Sequence, residues 1–226
     1  MIRKLVVQTL SSVAVIGLAL FSAAGSWAWL SAWVCLALIG GGSLAFGLWL
    51  SRIDPGLVAE RLKSPLGGGQ TVRDSAVLVP FVIGFFVAWP AFMGLDARRF
   101  AWSHVPVWGQ ALGAVLILAT FLGCTSVFRA NSFASSRVRL QPERGQTVIS
   151  TGPYAVVRHP MYSYALLFMV GMPLLLGSLW GLAWLVLFIP LLAARILGEE
   201  AMLLRGLPGY RDYTARVRSR LLPGVW

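Results

Sequence analysis

The sequence predicts an all-α, polytopic membrane fold with about six transmembrane helices, and three observations carry that prediction. Of the 226 residues, 58% are hydrophobic and 12% charged, with a mean hydropathy of +0.76; an ordinary soluble domain carries about 25% charged residues. The apolar residues gather into six runs of spanning or near-spanning length, separated by charge, Gly and Pro. Positive charge then gathers almost wholly on one side of six crossings. Since each span takes about 20 residues, no large soluble domain remains.

The first run, about Leu5 to Ala24, follows Arg3 and Lys4 and ends in the small residues Ala23, Ala24, Gly25 and Ser26, which is the outline of a signal peptide. Its apolar stretch exceeds a signal core, so it reads as an uncleaved first span. The next three runs are about Trp27 to Leu50, Ala76 to Leu95 and Val107 to Phe128. The fifth, Met161 to Leu176, has about 16 residues and is short for a span. The sixth, Leu179 to Leu197, follows across Gly177 and Ser178 with no room for a loop, so the last two helices form a tight hairpin. The chain thus divides at residue 128: four N-terminal spans in 1–128 with a connector at 51–74, then 129–226 with the hairpin 161–197 and a C-terminal segment.

Of the 19 Lys and Arg residues, 17 fall on one side of this arrangement and only Arg98 and Arg99 on the other. The basic side is expected to be cytoplasmic, with both termini there and the protein integral to an inner, cytoplasmic membrane. Topology therefore accounts for the net charge of +11, and nucleic acid is excluded as a partner. Trp27, Trp29, Trp33, Trp102 and Trp108 flank spans at the opposite end and read as interfacial anchors. Pro90, Pro173 and Pro190 lie within spans and are expected to kink them. Cys35 and Cys124 lack metal-type spacing and read as core residues. Gly67-Gly68-Gly69 lacks the lysine and spacing of a phosphate loop and reads as a flexible connector. No internal repeat supports an inverted-repeat transporter.

The polar chemistry lies in residues 129–160 and 198–226. All five tyrosines (Tyr154, Tyr162, Tyr164, Tyr210 and Tyr213) follow residue 150, as does His159. The other histidine, His104, sits in the outer loop and reads as structural. Pro160 suits the first turn of a helix, where its missing N–H would be unpaired anyway, so His159 stands at the mouth of the fifth span. Arg158, His159 and that helix start suit an anionic group such as a carboxylate. At the far end of the hairpin, Arg195 and Glu199 are four apart and share a helix face, with Glu200 beside them. A two-helix hairpin brings its ends together, so one cytoplasmic pocket is expected to contain both sets. Each feature also has a plain reading: a basic flank for Arg158-His159, a solvated pair for Glu199-Glu200, interfacial anchors for the tyrosines. Asn131, Ser132, Ser135 and Ser136 suit turns as well as ligand contacts.

Gly152-Pro-Tyr-Ala-Val-Val-Arg-His-Pro-Met-Tyr162, then Glu199-Glu200, Leu203, Pro208-Gly209-Tyr210, Tyr213, Arg216, Arg220 and Pro223, resemble in order and spacing the isoprenylcysteine carboxyl methyltransferase and phospholipid methyltransferase superfamily of integral membrane enzymes. The resemblance covers roughly residues 129–226, making that part a methyltransferase core. It implies methyl transfer from S-adenosyl-L-methionine, bound in a C-terminal region facing the cytosol, to a lipophilic acceptor taken from the bilayer. Matched position by position, it implies cofactor contacts from Gln141, from strand-like Gln146, Thr147, Val148 and Ile149, from Tyr154, from His159, Pro160, Met161 and Tyr162, and from Glu199. Glu200 is an alternative acidic partner for the cofactor's ammonium or ribose. Arg195 matches the position facing the methyl acceptor, so Arg195 and Glu199 are the expected catalytic pair.

The residue types suit that ligand independently. A sulfonium calls for aromatic faces, a carboxylate for an anion site, and an ammonium and ribose for acidic or amide groups. In-line methyl transfer needs alignment in a dry site and no metal. Many relatives carry His where this chain has Gln146, which removes a titratable group. Tyr164 stands where a small residue is usual, and is expected to reshape the pocket. The acceptor stays open: Arg195 would orient a carboxylate, an amine headgroup would need Glu199 or Glu200 to accept a proton, and a small apolar molecule is a third possibility. The rival readings are a small transporter, against which the spans hold almost no ionisable residues, and a non-catalytic membrane scaffold, which would be expected to lose His159, Tyr162 and Glu199.

Overall fold

In the computed structural model, which describes residues 1–62, 82–135 and 139–226, every regular element is helical. The elements are α1 (Ile2–Ala24), α2 (Leu30–Ile53), α3 (Pro55–Arg61), α4 (Gly84–Ala88, Trp89–Gly94 and Leu95–Arg99 in succession), α5 (Val107–Ala130), α6 (Pro160–Leu176), α7 (Leu179–Ala183), α8 (Leu185–Gly206) and α9 (Tyr210–Arg216). Single 3-10 turns occupy Pro142–Arg144 and Gly152–Ala155. The predicted flexible connector around Gly67-Gly68-Gly69 lies outside the described residues, as does the start of the third apolar run.

Four helices are long and apolar enough to cross a membrane: Ile2–Ala24, Leu30–Ile53, Val107–Ala130 and the continuous stretch Leu179–Gly206. The protein is thus an integral membrane protein on length and composition, but with four such helices described where the sequence suggests six. For α6 the shortfall is one of length. Its 17 residues rise about 25 Å, against a hydrocarbon core of about 30 Å.

Packing between helices depends on a few glycines. Gly113 on α5 and Gly171 on α6 let the two backbones touch: a Cβ on Gly171 would lie 2.8 Å from the Gly113 carbonyl oxygen. Gly94 does the same for α4 and α1, where a Cβ would lie 2.6 Å from the Leu20 carbonyl oxygen. Around these contacts Leu20, Phe21, Trp89, Met93, Met172 and Phe188 form the main core. Pro90 offers no N–H and crowds the carbonyl four residues back. That carbonyl falls in the π turn Gly84–Ala88, whose wider winding gives the ring room.

Four of the predicted tryptophan anchors are exposed, but Trp29 is not: it is 7% accessible and joins the main core as the N-cap of α2. The strand-like residues Gln146–Ile149 form no strand. These residues form a coil between the two 3-10 turns, since no strand among the described residues offers them a ladder.

The turn of the last hairpin is closed by a buried acid that the sequence reading passed over. Gly177 takes a left-handed conformation (φ +85°), ending α6, and Ser178 caps α7 by accepting the Gly181 N–H. The Ser178 hydroxyl donates to Asp96 Oδ2 at 2.6 Å, the Ser103 hydroxyl donates to the same oxygen at 2.8 Å, and the Trp180 N–H at 3.3 Å. Asp96 is fully buried, and its Oδ1 has no hydrogen-bond partner. This junction ties the end of α4 to the hairpin tip, which leaves the open end of the hairpin to face the opposite side.

Candidate functional site

At that open end the chain builds a cavity from four pieces: the loop after α5, the coil 139–150, the start of α6 and the end of α8 with α9 behind it. The loop is shaped by Asn131, whose Oδ1 accepts the Phe133 N–H at 2.8 Å and whose Nδ2 donates to Tyr154 Oη at 2.9 Å. The coil is folded around Gln141, 1% accessible. Its backbone N–H donates to Gln146 Oε1, its Nε2 donates to the Phe133 carbonyl, and its Oε1 accepts from Arg144. Tyr213 on α9 donates to the Tyr154 carbonyl at 2.8 Å, fixing the 3-10 turn that presents Tyr154.

The cavity encloses about 820 Å³ of atom-free space, counting its open mouth. Of the residues singled out from the sequence, Gln146, Thr147, Val148, Ile149, Tyr154, His159, Pro160, Met161, Tyr162, Arg195 and Glu199 all line it. Gln141 and Glu200 do not: the first is spent on folding the coil, the second on an ion cluster described below. The lining also includes Phe133, Ala134, Arg139, Met202 and Leu207, none of which the sequence reading proposed. Only Arg139 carried a signal, as a charge in the polar segment; its guanidinium bridges Glu60 and Glu143.

The two helices of the hairpin meet through Tyr162. Its hydroxyl donates to Glu199 Oε2 at 3.0 Å and accepts from Arg195 Nε at 2.9 Å. One phenol thus links a cation and an anion on the cavity wall. Burial raises the pKa of Tyr154 well above the ordinary phenol value, against a lowering from the Asn131 hydrogen bond, and burial likewise pushes Tyr213 up to about 12. These phenols are neutral hydrogen-bonding and stacking surfaces near pH 7, not bases.

Behind the wall, Glu200 holds three basic side chains. Arg158 Nε donates to Oε1 at 2.6 Å, His159 Nε2 lies 3.3 Å from the same oxygen, and Arg220 Nε donates to Oε2 at 2.9 Å. Arg158 and His159, both of which also line the cavity, thus share an anion supplied by the protein. Arg158 also donates to the carbonyls of Val217 and Arg218, and the backbone N–H groups of Arg158 and His159 donate to Ser219 and Arg220. The C-terminal segment is thus bound edge to edge against the residues that carry His159. Tyr164 does not reach the cavity; its ring fills the notch left by Gly123 on α5.

Fold and site together define a class: a helical integral membrane protein with a cavity, polar and aromatic, where the last hairpin opens. A family model described as phospholipid methyltransferase matches residues 108–207. The match runs from the start of α5 to the end of α8, enclosing the hairpin and most of the cavity wall. It is consistent with the integral membrane methyltransferase superfamily that the sequence motifs resemble, and it supports a methyltransferase. No curated protein and no solved structure matches the chain. Among the described residues no group of His, Cys, Asp and Glu is arranged to hold a metal ion.

Proposed function

We propose that this protein transfers a methyl group from S-adenosyl-L-methionine to a lipophilic acceptor at the cytoplasmic membrane face, with both termini on that side. The observation that carries the reading is the Arg195–Tyr162–Glu199 linkage on the wall of a cavity also lined by Tyr154 and His159. The donor set fits the cofactor. Tyr154 and Tyr162 offer aromatic surface for a cationic sulfonium. Glu199 offers a carboxylate to an ammonium or a ribose hydroxyl, and Gln146 with Thr147, Val148 and Ile149 offers amide and backbone groups. His159, Pro160 and Met161 form the helix-start side of the same wall.

When bound, the cofactor supplies an electrophilic methyl group whose leaving group is a neutral thioether. The chain's own part is to align the acceptor and exclude water, which accounts for most of the catalysis such a displacement needs. Arg195 orients the acceptor, and Glu199 takes the proton if the acceptor is an amine. The name of the matched family favours a phospholipid headgroup over a prenylcysteine-like carboxylate or a small apolar molecule.

Calorimetric titration of the purified protein with S-adenosylhomocysteine tests the reading, and no heat at millimolar ligand would sink it. His159→Ala and Glu199→Ala are each expected to weaken binding about tenfold or more; wild-type affinity in both would place the ligand elsewhere. Membrane lipids incubated with radiolabelled methyl donor and separated by class then identify the acceptor.

A further inference from the structure

Asn131 closes α5 and opens the loop that walls the cavity. Its backbone N–H donates to the Val127 carbonyl at 3.0 Å, and its side chain reaches forward to the Phe133 N–H and across to the Tyr154 hydroxyl. These contacts fix which way the amide faces. A backbone N–H can only donate, so the atom against Phe133 is the oxygen; the atom against Tyr154 is then the NH₂, which in turn can only donate. The phenol oxygen is therefore the acceptor in this pair, and its own proton is left over.

Among the described residues the Tyr154 hydroxyl donates that proton to no acceptor. Tyr162 and Tyr213 differ: they give theirs to Glu199 and to the Tyr154 carbonyl. Tyr154 and Asn131 both line the cavity, and the phenol oxygen is within electrostatic reach of Glu199 and Tyr162 on the hairpin wall. The ring packs with Leu50, Val127 and Phe128 and is only 9% accessible, so bulk water meets little of it. Packing alone asks for a ring and no hydroxyl, and an unmade hydrogen bond on a buried donor is costly. A hydroxyl whose accepting side is taken by the protein and whose donating side is left to the cavity suits a ligand atom that accepts.

We propose that Asn131 is a positioning residue: by donating to the Tyr154 hydroxyl it turns that hydroxyl's proton into the cavity, for a hydrogen-bond acceptor of the methyl donor, either its carboxylate or an atom of its nucleoside. The assignment rests on the methyl-transfer reading above. It gives Tyr154 a polar task beside its aromatic one, and it gives the loop after α5 a part in ligand recognition.

The test is calorimetric titration of the purified full chain in detergent with S-adenosylhomocysteine and with methylthioadenosine, which lacks the carboxylate. Tyr154→Phe removes the proton and should weaken binding about fivefold or more. Equal losses for both ligands assign the acceptor to the nucleoside, and a loss for the first alone assigns it to the carboxylate. Asn131→Asp keeps an oxygen for the Phe133 N–H but sets a second oxygen against the phenol. The Tyr154 proton then goes to the new carboxylate, and the phenol shows the ligand only lone pairs. Binding should fall about tenfold or more, yet the same change made beside Tyr154→Phe should add less than about twofold. If Asn131→Asp does not fold, as judged by its melting temperature, Asn131→Ser decides. Its hydroxyl can keep the turn on Phe133 but releases Tyr154, with an expected loss of about threefold that vanishes beside Tyr154→Phe.

A merely structural Asn131 would give equal losses with and without the phenol hydroxyl, and that result overturns the proposal. Wild-type binding that Tyr154→Phe leaves untouched for both ligands overturns it too, while the methyl-transfer reading stands. A wild type that binds neither nucleoside sinks that reading and this inference with it.

Discussion

The two ends of the last hairpin each bury a carboxylate, and they hold it in opposite ways. At the open end Glu200, 5% accessible, meets two guanidiniums and an imidazole. At the tip Asp96, fully buried, meets two hydroxyls and one backbone N–H, and leaves an oxygen without a partner. The first is an ion cluster that assembles separate chain segments beside a cavity. The second is a packing junction made of neutral donors. Charge is therefore expected to matter where the site is built and to matter little where the bundle is merely closed.

The largest effect should come from Glu200→Gln. It removes the anion paired with Arg158 among the described residues, and the buried guanidinium is left uncompensated, which typically costs about 3–5 kcal/mol. Thermal unfolding in detergent should show that loss. S-adenosylhomocysteine binding should fall with it, because Arg158 and His159 are the residues to which the C-terminal segment is fastened. A variant of near-native stability would show that the cluster is solvated and would remove the contrast between the two ends.

Gly123→Ala comes next. The new Cβ would run into the Tyr164 ring, and overpacking of this kind costs about 1–3 kcal/mol. The double variant with Tyr164→Ala should recover part of the loss, since the clash has then gone. S-adenosylhomocysteine binding, on the proposed function, should follow stability only, because Tyr164 lies outside the cavity wall.

How much of this the sequence discloses depends on whether chain geometry leaves a choice. The hairpin was readable because Gly177 and Ser178 leave no room for a loop, and a hairpin of two helices must bring His159 and Glu199 to the same end. The separate roles of Glu199 and Glu200 were not. Neighbours on a helix differ by about 100° in direction, and which one meets the cavity depends on where Arg220 returns from 20 residues away. A positional match to the family pointed Gln141 at the ligand, but its burial depends on how the loop 131–135 and the coil close over it. Thr147, Val148 and Ile149 have strand propensity without a partner strand. Asp96, beside Arg98 and Arg99, carries no signal in the sequence; the tertiary approach of Ser178, 82 residues on, gives it a buried partner.

A smaller effect is expected from Tyr213→Phe. The Tyr154 carbonyl loses its donor, at a cost of about 1 kcal/mol, and Tyr154 loses the support that presents it to the cavity. Alkaline titration sharpens the point. The Tyr213 pKa is raised by burial from 10.0 to about 12, so the folded state holds the proton more tightly than the unfolded chain. The associated stability is complete below about pH 10 and is lost as pH rises toward 12. Tyr213→Phe should flatten the fall in melting temperature over that window, and an unchanged profile would assign the alkaline loss to other groups.

The smallest effect should come from Asp96→Asn, and it tests the comparison from its other side. The amide oxygen can take the place of Oδ2 and accept from Ser103, Ser178 and Trp180 as before. Its NH₂ then falls where Oδ1 already lacked a partner, so a donor without an acceptor replaces an acceptor without a donor. Hydrogen bonds between membrane helices average only about 0.6 kcal/mol, and the expected loss is below about 1 kcal/mol, with nucleoside binding unchanged at the far end. A loss as large as that of Glu200→Gln would mean that the tip also needs its charge, and that Asp96 does more than close the bundle.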